Sequence, residues 1–198
     1  AFRKKQEMTV FTYHGDIDTL MSPLDSIRYY KSFLRSGFMS MDPKTGAVKA
    51  YVGGLDYTHF MYDMVSLGRR QVGSTIKPFL YSLAMSNGFQ PCDLAPNRQQ
   101  TYMVAGRPWT PRNANHSRAG QMVPLSWGLA QSSNWVSAYL MSKLNPQQFV
   151  QMLRDFGINS PDIHASMSLC LGPCEVSVSE MVSAYTVFAN HGIRTAPM

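Results

Sequence analysis

The chain has 198 residues, 44% hydrophobic and only 15% charged, which suits one substantial core and excludes a disordered tail. No run approaches the roughly 20 apolar residues that span a bilayer, and the basic start Arg3-Lys4-Lys5 has no apolar stretch behind it, so no signal peptide is read. The net charge of +6 is scattered, its only clusters being Arg3-Lys4-Lys5 and Arg69-Arg70; with no helix-turn-helix, zinc-finger or RNA-binding motif beside it, that charge excludes nucleic acid as the partner and suits an anionic surface.

Met8 to Tyr13 carries β-branched and aromatic residues and reads as a strand, turned at His14-Gly15-Asp16. A helix follows. Ser22 suits its N-cap, Pro23 the first helical position and Asp25 the positive end of the helix dipole. Ile27, Tyr30, Phe33 and Leu34 recur at helical spacing, and Gly37 is placed to end the helix. Phe38 to Met41 and Ala47 to Val52 read as two strands of a hairpin turned by Asp42-Pro43-Lys44-Thr45-Gly46. Leu55 to Arg70 has weak periodicity and reads as a connecting loop with some helix.

After Gly73 the pattern is helical through Asn87, with Phe79, Leu80, Leu83 and Ala84 as its core stripe. Pro91 to Gly120, rich in Pro, Asn, Arg and Gly, reads as a long surface excursion. Helices are then predicted from Pro124 to Gln131, from Asn134 to Leu144, and from Asn145-Pro146 through Phe156 with Gly157 as the stop. A last one runs from Ser177 to Ala189, ended by Asn190-His191-Gly192. Of three cysteines, Cys170 and Cys174 sit four apart near His164 and His191, too widely for a Cys-x-x-Cys zinc pair. All three are expected to be ordinary buried thiols, and no metal is expected.

Chemistry concentrates at Ser74-Thr75-Ile76-Lys77. Residues three apart share one helix face, and Pro78 is tolerated only in a first turn, so the helix should begin near Ser74. A serine there has free backbone N–H groups and the positive dipole end beside it. Lys77, partly buried, can take the serine proton once its pKa falls toward neutrality. A serine with a lysine base needs no histidine, and none lies near the motif. Downstream, Ser132-Ser133-Asn134 falls between two predicted helices; its bland reading is a helix N-cap.

Gly68-Arg69-Arg70-Gln71-Val72-Gly73-Ser74-Thr75-Ile76-Lys77-Pro78-Phe79, followed by Gly128-Leu129-Ala130-Gln131-Ser132-Ser133-Asn134, resembles the transpeptidase domain of class A (bifunctional) penicillin-binding proteins. Their signature is a Ser-x-x-Lys, a Ser-x-Asn and a Lys-Thr-Gly. The resemblance covers nearly the whole chain, from near Phe11 to Pro197, and implies an α+β penicillin-binding protein/serine β-lactamase-like fold, an antiparallel sheet flanked by helices plus an all-helical lobe. It implies Ser74 as nucleophile, Lys77 as base, Ser132 in the proton relay and Asn134 on the substrate amide. Lys44-Thr45-Gly46 has the letters of the third motif but precedes Ser74 in a turn, so it is assigned a structural role.

The family's Lys-Thr-Gly follows Ser-x-Asn, and this chain has none there, so a fragment incomplete at its C-terminus is expected. Residues 1–36 then connect to a glycosyltransferase domain, and 37–198 form the N-terminal part of the transpeptidase domain. The implied activity is D,D-transpeptidation of peptidoglycan stem peptides ending in D-Ala-D-Ala, with β-lactam antibiotics acylating the same serine and no cofactor. The implied place is the extracytoplasmic face of the bacterial membrane, held by an anchor outside this chain. Two alternatives stand beside it. A serine β-lactamase needs a deacylating glutamate, and beyond Ser132 only Glu175 and Glu180 occur, in a helix-start phrase. A folded but catalytically incompetent fragment or scaffold is the other.

Overall fold

The computed structural model describes residues 2–198. Among them are ten short strands, all paired antiparallel in two-stranded units, and six α-helices. No helix is long and apolar enough to cross a membrane among the described residues.

Strand β1 (Gln6–Val10) pairs with β2 (Ile17–Met21), and α1 (Pro23–Ser32) follows. Ser22 caps α1 by accepting the Asp25 N–H at 3.2 Å. The helix ends before Gly37, because Phe33 turns extended (φ −70°, ψ 125°) and joins Phe11, Tyr29, Tyr30 and Phe60 in an aromatic cluster. Leu34, expected on the helix stripe, is 87% exposed.

Strands β3 (Phe38–Met41) and β4 (Val48–Val52) form the expected hairpin. Asp42 organises its turn, one carboxylate oxygen accepting the Lys44 and Thr45 N–H groups at 2.8 and 3.0 Å. Thr195 ties this turn to the last helix. Its hydroxyl donates to the Pro43 carbonyl at 2.7 Å, and its carbonyl accepts from Ser183 at 2.9 Å. The 55–70 segment holds turns rather than helix, then becomes β5 (Arg69–Gln71).

The predicted surface excursion is largely structured. It contains β6 (Leu94–Pro96), which pairs with β9 (Met122–Pro124), and the hairpin of β7 (Tyr102–Val104) and β8 (Arg107–Trp109). Around it stand α2 (Lys77–Ser86), α3 (Leu125–Ala130), α4 (Asn134–Met141) and α5 (Pro146–Asp155), which form the helical lobe. Finally β10 (Glu175–Ser177) pairs with β5 across the chain, and α6 (Val178–Ala189) starts in a capping box of Ser177 and Glu180.

The core runs through α2. Phe79, Leu80 and Ala84 are wholly buried, against Val136 and Leu140 of α4 and Phe149 and Leu153 of α5. Each of these side chains larger than alanine contributes about 1.5–3 kcal/mol relative to exposure. This packing fixes the N-terminal end of α2, where the chemistry sits.

Candidate active site

The helix that carries Ser74 begins differently from expectation. Gly73–Ile76 is a 3-10 turn, and the α-helix proper starts at Lys77, whose N–H donates to the Ser74 carbonyl. Three residues per turn place Ser74 and Lys77 on one line, so the pairing read from spacing survives the change of helix type. Pro78 explains the tight start, since it supplies no N–H to an earlier turn. Ser74 is exposed and Lys77 is 1% exposed.

The 3-10 turn is braced from two sides. The segment ending at Gly172 (φ +66°) lies directly behind it: Gly73 N–H donates to the Gly172 carbonyl at 3.0 Å, and Val72 N–H to the Cys174 carbonyl at 3.0 Å. A Cβ on Gly172 would stand 2.2 Å from the Gly73 oxygen, so this approach requires glycine. On the other side, the Tyr185 hydroxyl on α6 donates to the Thr75 carbonyl at 2.7 Å.

Lys77 meets the second motif. Its ammonium donates to the Ser132 carbonyl at 2.6 Å, the Ser132 hydroxyl at 3.1 Å and the Asn134 side-chain oxygen at 2.8 Å. Three protons find three acceptors. Burial nevertheless lowers the Lys77 pKa from 10.5 to about 8, because the charged form is the more costly one to desolvate. Near Lys77 lies Cys170, fully buried, whose thiol burial pushes up to about 12. It is therefore a thiol and no nucleophile at neutral pH.

Both readings of Ser132-Ser133-Asn134 hold at once, on different residues. Ser133 caps α4, its hydroxyl accepting the Val136 N–H at 3.3 Å. Ser132 ends α3. Ser132 N–H donates to the Leu129 carbonyl and Ser133 N–H to the Gly128 carbonyl, a Schellman closure with Ser132 left-handed at φ +52°. That closure turns its carbonyl and hydroxyl to Lys77.

Ser74, Ser132 and Asn134 line one cleft of about 160 Å³, together with Asn113, Ala114, Asn115, Trp127, Gln131 and Ser133. The structure thus brings all four sequence-predicted site residues together. Asn113 lines the cleft, whereas Trp109, four positions earlier, packs on Tyr102, ring centres 6.1 Å apart. Sequence reasoning missed Asn97, wholly buried behind Ser133, because a lone asparagine in an irregular stretch carries no signal of its partners.

Lys44-Thr45-Gly46 sits in the β3–β4 turn against residues 195–198 and lines no part of the cleft. Glu180 is held by the α6 capping box and by Arg69 at 3.2 Å, and Glu175 lies exposed on β10, so neither lines the cleft. Cys92 is exposed, against expectation, while Cys170 and Cys174 are buried; all three are free. No group of three or more metal-ligating side chains occurs among the described residues.

Comparison with known proteins shows the family. A family model described as the penicillin binding protein transpeptidase domain matches residues 36–198, and one described as the penicillin-binding protein middle domain matches 1–34. Penicillin-binding protein 1A of Neisseria meningitidis is 36% identical over 166 residues, covering 82% of this chain and 21% of that protein. Its counterpart from Pseudomonas aeruginosa is 32% identical over 165 residues, covering 82% and 20%. The chain therefore spans about a fifth of the length of the curated relatives it matches. Among solved structures, penicillin-binding protein 1A from Haemophilus influenzae superposes with a TM-score of 0.79 at 26% identity, over 96% of this chain and 27% of that one. The penicillin-binding protein PonA1 from Mycobacterium tuberculosis superposes with a TM-score of 0.67 at 25% identity, over 88% and 48%.

Proposed function

Since this chain belongs to the penicillin-binding protein transpeptidase family, we propose that it carries the acylation centre of a peptidoglycan D,D-transpeptidase, with Ser74 as the nucleophile. The observation that carries the reading is the buried Lys77, one turn from an exposed serine and bonded to both ends of Ser-x-Asn. As Lys77 loses a proton, two N–H groups stay on the Ser132 carbonyl and the Asn134 oxygen, and its lone pair becomes available. The Ser132 hydroxyl can then donate to that lone pair, and Ser74 can lose its proton through this relay. Ser74 Oγ attacks the penultimate D-Ala carbonyl, the terminal D-Ala leaves with a proton, and an acyl-enzyme remains. An amine of a neighbouring stem peptide resolves it. A β-lactam acylates Ser74 in the same way, and no cofactor enters these steps.

In this reading residues 1–36 connect to a glycosyltransferase domain and a membrane anchor in a longer protein, and 37–198 form the N-terminal part of the transpeptidase domain. The middle-domain match at 1–34 and the short span against its relatives support that division. The place of action is the extracytoplasmic face of the bacterial membrane.

A second reading has its own observation. Among the cleft-lining residues there is no cation to hold a substrate carboxylate, since the chain's Lys-Thr-Gly lies in the hairpin turn. This chain by itself is then a folded but slow or silent acylation centre. Prolonged incubation with fluorescent penicillin, compared with Ser74→Ala, tests both. Slow labelling confined to the chain with Ser74 supports the first, and labelling that survives Ser74→Ala contradicts it.

A further inference from the structure

The turn that presents Ser132 and Asn134 to Lys77 is gripped from behind by a segment with no part in either motif. Asn113, in the stretch after β8, accepts the Asn134 backbone N–H at 2.6 Å with its side-chain oxygen. Its amide nitrogen donates to the Ser133 hydroxyl at 3.2 Å. That hydroxyl, 3% exposed, donates onward to Asn97 at 3.0 Å. Asn97, wholly buried, is anchored by donating to the Ser117 and Arg118 carbonyls at 2.9 and 3.0 Å. One position before Asn113, the Arg112 carbonyl accepts from the Asn134 side-chain nitrogen at 2.7 Å.

The two contacts from residues 112 and 113 fix Asn134 at its backbone and at its amide. With the amide nitrogen committed to Arg112, only the amide oxygen is left to face Lys77, where it accepts at 2.8 Å. A flipped amide would set two N–H donors against an ammonium that has donors only. A buried charge is sensitive to the loss of one acceptor, because the interior offers no replacement water.

We infer that Asn113 is a positioning residue for Lys77. It acts through Asn134, holding the backbone of the residue whose amide oxygen accepts from the lysine and so setting how readily Lys77 gives up its proton. The inference rests on the reading of Lys77 as the base at this centre, but its test needs no acylation.

The experiment follows the Lys77 Cε resonance in protein made with ¹³C-labelled lysine, identified by its absence from Lys77→Met, through a pH titration. Asn113→Ala frees Asn134 and removes one acceptor from the ammonium, so the Lys77 midpoint falls by about half a pH unit or more. Asn134→Ala lowers it similarly. In the double variant Asn113→Ala adds nothing to Asn134→Ala, because the two act in one line. Additive changes, or no change in Asn113→Ala, would overturn the inference. Should Asn113→Ala not fold, Asn113→Ser, whose short hydroxyl cannot bridge Ser133 and Asn134, is read in the same cycle. A penicillin adduct on a residue other than Ser74 would overturn the proposed function and leave this result standing.

Discussion

Ser132 and Gly157 occupy the same position in two helix-ending motifs, and only one of them is a glycine. Gly157 follows α5 at φ +85°, with its N–H on the Arg154 carbonyl and the Ile158 N–H on the Leu153 carbonyl. Ser132 repeats those bonds after α3 at φ +52°. A side chain in this conformation costs about 1 to 3 kcal/mol and persists where the site needs it. Here the side chain reaches Lys77 at 3.1 Å. Ser132→Gly is expected to stabilise the fold by roughly 0.5–1 kcal/mol in urea unfolding while slowing acylation of Ser74. A variant both less stable and equally reactive would contradict the relay role of Ser132.

Lys77 makes two pH statements. Its folded pKa, about 8, lies below the unfolded 10.5, so between those values the unfolded chain binds more protons. Stability relative to Lys77→Met therefore rises with pH across that window and is flat below about 8. The acylation rate of Ser74 rises with pH as well, with a midpoint near 8, because the free amine is the working form. Denaturant midpoints and labelling rates at stepped pH check both.

Gly172 is the tightest approach to the nucleophile turn. Gly172→Ala places a Cβ 2.2 Å from the Gly73 oxygen and 2.7 Å from its nitrogen. The expected cost is at least about 2 kcal/mol, by clash and backbone strain. Gly88→Ala, at φ +92° with open space around its Cβ, is expected to cost about 1 kcal/mol, from backbone strain alone. Equal urea midpoints for the two would show that residue 172 does not brace Ser74.

His59 ties the turn between β1 and β2 to the 55–70 segment. Its ring nitrogens face Asp16 at 3.2 Å and Asp56 at 2.9 Å, and the hydrogen bond to Asp56 raises its pKa. Both carboxylates need a donor, which only the protonated ring supplies twice. The stabilisation is complete below the unfolded pKa of about 6.5 and is lost as pH rises through the higher folded value. The stability gap between the native chain and His59→Gln should therefore shrink from pH 6 to pH 9, as thermal melts at stepped pH would record.

Local rules made much of this legible. Ser22 caps the helix it was expected to cap, helices open where expected at Asn145-Pro146 and near Ser177, and the Asp42–Gly46 turn joins the expected strands. That Ser74 and Lys77 stand one turn apart at a helix start followed from spacing. What escaped was long-range: β5 meets β10 across 106 positions in strands of three residues, too short to show a period. The brace of Asn97 and Asn113 escaped for the same reason, since its partners lie 20 or more positions away. The end of α3 near Gln131 was legible even though the glycine that usually marks such an end is replaced by Ser132, the residue that meets Lys77.

The central claim is that Ser74 is acylated with Lys77 as its base. Intact-mass and peptide-mapping mass spectrometry after long exposure to excess penicillin reads it directly. The account predicts one slowly forming adduct, on Ser74, absent in Ser74→Ala and reduced by about 10² or more in rate in Lys77→Met. An adduct on another residue, or one that forms equally fast without Lys77, would contradict it.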